Sequence, residues 1–161
     1  MVRLLPLLCL VTFALCGHVV AMPKAVTQLG VMISKVTGRP PWKYWNYGCW
    51  CGKGGQGPAV DATDSCCQTH DFCYEALEQP PCRWTVKQYL TAYKYSIDGK
   101  TVTCGDQDGT CKRTLCECDK TVVNCFARSQ YVEAHDHMDQ TICKKGNSTE
   151  VMHDGLSGTF P

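Results

Sequence analysis

Two neighbouring runs decide the fold: Tyr47-Gly-Cys-Trp-Cys-Gly-Lys-Gly-Gly-Gln-Gly57, and Asp61-Ala-Thr-Asp-Ser-Cys-Cys-Gln-Thr-His-Asp-Phe-Cys-Tyr74. The first is loop sequence, with five glycines and Pro58 between residues 47 and 59. Glycine lets a chain turn successive carbonyls toward one centre, and a hard cation such as calcium takes carbonyl oxygens readily. The Gly-Lys-Ser/Thr of a phosphate-binding loop is absent, and so are the alternating carboxylates of an EF-hand. With no carboxylate of its own, the loop alone would be only a tight turn. The second run supplies one. Asp61 to Leu77 lacks Gly and Pro and is acidic near its start, which predicts a helix. Cys67 and Asp71 lie four apart on one face of it, and His70 and Tyr74 share an adjacent face. A bond from Cys51 to Cys67 would hold the loop about one helical turn from Asp71.

Outward from these runs, cysteine sets the class. The chain has 161 residues and 14 cysteines, a density that belongs to small disulfide-framed secreted proteins. Residues 1–21 read as a signal peptide: Arg3 is the positive end, Leu4 to Leu15 the apolar stretch, and Val19 and Ala21 the small residues before a cleavage. Cleavage after Lys24 is also compatible, making 22–24 a short pre-segment. Cys9 and Cys16 leave with the signal, and twelve cysteines, an even number, remain. Sixteen basic against 15 acidic side chains excludes a nucleic-acid protein driven by phosphate neutralisation. Removing Arg3 and Lys24 leaves 14 basic against 15 acidic, so membrane contact is expected through apolar and aromatic groups rather than charge.

The remaining elements follow from local signals. Val26, Leu29, Ile33 and Val36 recur at helical spacing and stop at Gly38, predicting an amphipathic first helix. Tyr93 to Ile97 and Lys100 to Cys104, flanking Asp98-Gly99, read as a short hairpin. Cys111 to about Ser129 is a further long helix. Residues 144–161 are polar and read as a loose tail, within which Asn147-Ser148-Thr149 is a glycosylation sequon. The expected class is mainly α and disulfide-rich, one domain over 25–143, with a glycine loop and a small two-stranded β-wing.

Taken together, Y-G-C-W-C-G-K-G-G, D-x-x-D-x-C-C-x-x-H-D-x-C-Y and the later C-x-C-D ending at Asp119 resemble the calcium loop and two active-site helices of secreted phospholipase A2. The resemblance runs from about Ala25 to Cys143. It implies a calcium ion held by the carbonyls of Trp50, Gly52 and Gly54 and by the Asp71 carboxylate. It implies His70 as base, Asp119 as its orienting carboxylate, Tyr74 and Tyr93 as supporting hydrogen-bond donors, and the Gly52 N–H as an oxyanion donor. It further implies the pairs Cys49–Cys143, Cys51–Cys67, Cys66–Cys125, Cys73–Cys118, Cys82–Cys111 and Cys104–Cys116. Of these, 66–125 and 73–118 have matched spacings of seven residues, which describes antiparallel helices and sets Asp119 within ~3 Å along the axis of His70.

The implied activity is calcium-dependent hydrolysis of the sn-2 ester of glycerophospholipids at a membrane surface by a secreted monomer, with release of fatty acids such as arachidonic acid. A catalytically silent binding protein or receptor ligand on the same fold is the alternative, and intact His70 and Asp71 argue against it. The family's usual tyrosine is Trp50 here, which a main-chain ligand tolerates. The extra cysteine pairs of some branches are missing, with Phe72 and Ile97 at two of their positions, and the loop proline comes one position early. Asp61 and Asp64 read as structural carboxylates at a helix start. His135 and His137, lacking a third ligand, read as solvated. Gln28 stands where the family bonds its N-terminus. Trp42 and Trp45 are candidates either for the lipid interface or for the core.

Overall fold

The computed structural model describes residues 24–147. The signal-peptide reading, most of the tail and the side chains of the sequon lie outside the described residues. Helix α1 spans Lys24–Thr37, and its apolar stripe buries Ala25, Met32, Ile33 and Val36. Gly38, at φ +71°, ends it, with its N–H returning to the Ser34 carbonyl at 3.1 Å. That left-handed residue costs glycine no Cβ clash. A 3₁₀ turn, Pro41–Tyr44, then leads into the glycine loop.

Helix α2 covers Ala62–Leu77, capped by Asp61, whose carboxylate accepts the Asp64 N–H at 2.8 Å. Helix α3 covers Cys111–Arg128, with Thr110 as its N-terminal cap and Ser129 closing the other end. Cys66–Cys125 and Cys73–Cys118 cross-link the two helices in antiparallel register. Helix α3 also packs on α1, so Leu115, Val122, Val123 and Phe126 join Met32, Ile33 and Val36 in one core. Strands β1, Tyr95–Asp98, and β2, Thr101–Cys104, form the β-wing. Four further disulfides are present: Cys49–Cys143, Cys51–Cys67, Cys82–Cys111 and Cys104–Cys116. A disulfide contributes roughly 2–4 kcal/mol to a small domain. Among the described residues no helix is long and apolar enough to cross a membrane.

Three details differ from the sequence reading. Asp98 pairs with Thr101, so the hairpin turn is Gly99-Lys100 rather than Asp98-Gly99. Gly99 alone takes positive φ, at +56°, the arrangement of a turn with glycine at its first central position. The chain past Cys143 is not wholly irregular, because a 3₁₀ segment runs from Gln140 to Asn147. Gln28, finally, grips Tyr93: its Nε2 donates to the Tyr93 carbonyl at 2.7 Å and its Oε1 accepts the Tyr93 N–H at 3.2 Å.

Candidate active site

The α2–α3 cross-links bring His70 and Asp119 together. His70 Nε2 lies 2.8 Å from Asp119 Oδ1, with the side chains 12% and 0% exposed. The same Asp119 oxygen accepts the Tyr74 hydroxyl at 2.7 Å, and the other oxygen accepts the Tyr93 hydroxyl. Burial first, and then the charge of Asp119, push both phenols far above their ordinary range, so they remain donors at neutral pH. A buried carboxylate accepting from two phenols takes its third donor, an N–H, from His70. This fixes the tautomer with hydrogen on Nε2 and leaves the Nδ1 lone pair free. The Tyr74 ring lies 4.1 Å from the imidazole and limits its rotation.

Beside this pair lies the glycine loop. Its N–H groups are drawn inward: Gly48 N donates to the His135 carbonyl at 2.9 Å, and Cys51 N to the Tyr47 carbonyl at 3.2 Å. Cys49 N and Trp50 N donate to the two oxygens of Asp64 at 2.9 and 2.8 Å. Asp64 is fully buried and accepts Val60 N as well, so it is the structural carboxylate the sequence suggested. The carbonyl oxygens of Trp50, Gly52 and Gly54 accept no hydrogen bond among the described residues. Gly52 and Gly54 adopt φ of +148° and +75°, which side chains disfavour. Asp71, half-buried, has its carboxyl raised above the ordinary value by burial, against the pull of His70 and the Gly55 N–H. The donor set is therefore one carboxylate and unpaired backbone carbonyls, all oxygen. It fits calcium, and among the described residues no three His, Cys, Asp or Glu side chains converge to suit a softer metal.

The family model for phospholipase A2 matches residues 26–136. The chain belongs to the phospholipase A2 family. Among curated relatives, the sea-anemone Phospholipase A2 A2-actitoxin-Cgg2a of Condylactis gigantea is 42% identical over 119 residues, covering 73% of this chain and 99% of that one. Basic phospholipase A2 nigexine of Naja pallida is 42% identical over 65% of this chain and 85% of its own. A "Phospholipase A2, membrane associated" of Mus musculus is 45% identical, over 65% and 70%. The candidate site also has aromatic neighbours that no sequence motif marks. Phe72 meets the Trp50 ring edge-on at 5.5 Å, and Tyr89 meets Tyr74 at 5.7 Å. Both are exposed aromatics, Phe72 against Trp50 of the glycine loop and Tyr89 against the Tyr74 that flanks His70. Tyr89 lies in a turn-rich stretch without periodicity, so no sequence signal marked it.

His135 corrects the sequence reading. It is tied down and only partly exposed: its Nδ1 lies 2.6 Å from Asp61 Oδ2 and its ring packs against Tyr47. The chain after α3 folds back beneath the loop, a long-range contact that spacing does not encode. His137 is exposed, and its Nδ1 lies 2.6 Å from the neighbouring Asp136 Oδ1.

Proposed function

We propose that the chain is a secreted, calcium-dependent phospholipase A2 that hydrolyses the sn-2 acyl ester of glycerophospholipids to a fatty acid and a lysophospholipid. The observation that carries this is the pair of a partly exposed His70 and a fully buried Asp119, oriented by their hydrogen bond and adjacent to an all-oxygen cation loop. In this reading the free Nδ1 of His70 takes a proton from a water molecule as its oxygen attacks the ester carbonyl. Asp119 stabilises the resulting imidazolium through Nε2–H, as the aspartate does in a serine triad, with water in place of serine. Tyr74 and Tyr93 hold Asp119 in place. The Gly52 N–H donates to the oxyanion as the carbonyl becomes tetrahedral, a contact of a kind commonly worth ~3–4 kcal/mol. His70 then returns its proton to the departing glycerol oxygen. The Trp50, Gly52 and Gly54 carbonyls and the Asp71 carboxylate would hold calcium, which when bound would supply Lewis-acid stabilisation of the charge on the ester oxygen.

Six disulfides and the signal-like first 21 residues support secretion. Peripheral attachment to phospholipid is supported by Trp42 and Trp45, 67% and 56% exposed. The test is positional. A phospholipid carrying different acyl chains at sn-1 and sn-2 should yield only the sn-2 fatty acid and the matching lysophospholipid. Release of the sn-1 chain, or of the headgroup, would overturn the assignment. No product from any vesicle would favour the silent binding protein.

A further inference from the structure

The base of the glycine loop holds a second histidine–carboxylate pair that the proposed reaction does not use. Asp61 Oδ2 accepts from the Tyr47 hydroxyl and from His135 Nδ1–H, while its Oδ1 accepts the Asp64 N–H. The Tyr47 hydroxyl in turn accepts Val132 N at 3.1 Å, so the phenol is fixed at both ends. Tyr47 is wholly buried, and its phenol is held well above the ordinary range by burial and by Asp61, so it stays a donor. The Asp61 carboxyl lies below its ordinary value, because donors from Tyr47, Asp64 and His135 outweigh the opposing effect of burial. An ionised Asp61 requires hydrogen on His135 Nδ1.

His135 reaches both the loop and α2. Its side chain bonds Asp61 at the start of α2, and its carbonyl accepts Gly48 N, in the loop itself. Helix α2 carries Asp71 ten residues beyond Asp61. One residue thus ties the loop that contains Trp50, Gly52 and Gly54 to the helix that carries Asp71. We infer that His135, through its bond to Asp61, is a positioning residue for the cation loop, setting the distance of the loop carbonyls from Asp71. Outer contacts that orient a metal's ligands typically alter affinity by ~10–100-fold when removed. The inference rests on the calcium reading above.

Asparagine can place its amide N–H where the His135 Nδ1–H lies, whereas phenylalanine keeps a ring and removes the donor. The experiment is calorimetric titration of calcium into the wild type, His135→Phe and His135→Asn, with unfolding temperatures recorded in chelator. The expected result is calcium affinity weakened about 10-fold in His135→Phe and restored to within about two-fold in His135→Asn. Unchanged affinity in His135→Phe, with only a lower unfolding temperature, would reduce the contact to general stability and overturn the inference. Failure of His135→Asn to recover affinity would also overturn it. Should His135→Phe not fold, His135→Leu carries the same test, since it too removes the donor to Asp61 Oδ2 while keeping an apolar side chain. If the wild type itself takes up no calcium, the functional reading falls first.

Discussion

At the scale of single residues, the site depends on which groups keep their protons. Tyr74 and Tyr93 are held protonated by burial beside Asp119, and Asp119 in turn orients His70. Asp119→Asn should preserve the shape but favour the wrong imidazole tautomer, lowering kcat by at least ~10-fold in steady-state assays. Tyr74→Phe or Tyr93→Phe should cost about 1–3 kcal/mol in denaturant unfolding, the penalty for a lost donor at a buried carboxylate. Either should change kcat less than Asp119→Asn does. Asp61 predicts an acid-side effect. Its folded pKa lies below the ordinary 3.8, so its stabilisation is fully present above that value and is lost as pH falls through the lower folded one. Thermal unfolding of the wild type and Asp61→Asn should therefore differ at neutral pH and converge in acid. A constant gap across that range would contradict this. Of these residues, His70, Asp71 and Asp119 were legible because helical spacing and family motif coincide. The role of His135 was not, since it depends on a return of the chain from α3 to the loop.

At the scale of elements, two devices set the site. The paired α2–α3 cross-links fix a register, and matched seven-residue spacings made that readable once the pairing was known. Sequence alone could not choose the pairing, because twelve cysteines allow very many connectivities. The second device is the loop wrapped on Asp64. Gly48 takes φ +59°, and a Cβ there would fall 2.3 Å from the Asp64 carboxyl carbon. Gly48→Ala should thus destabilise the fold by more than about 2 kcal/mol in denaturant unfolding, through both strain and overlap. The loop's glycine content was visible in sequence, but the need for glycine at 48 was not, because it arises from a buried carboxylate sixteen residues away. The hairpin shows the limit of local signals: Asp-Gly marked the turn, yet the strand pairing placed it one residue later.

At the scale of the whole molecule, a near-neutral charge and exposed tryptophans describe how an enzyme of this kind would meet its substrate. Trp42→Ala with Trp45→Ala should weaken partitioning to zwitterionic vesicles while hydrolysis of a short, monomeric phospholipid changes little. Wild-type partitioning should persist in moderate salt, and collapse there would point to charge instead. The central claim joins the cation loop to the histidine of α2. Its most direct test is fatty-acid release from phospholipid vesicles with calcium, with a chelator, and by His70→Gln in calcium. Release is expected only from the wild type in calcium, with His70→Gln lower by at least ~10²-fold. Release that survives either the chelator or the substitution would contradict it.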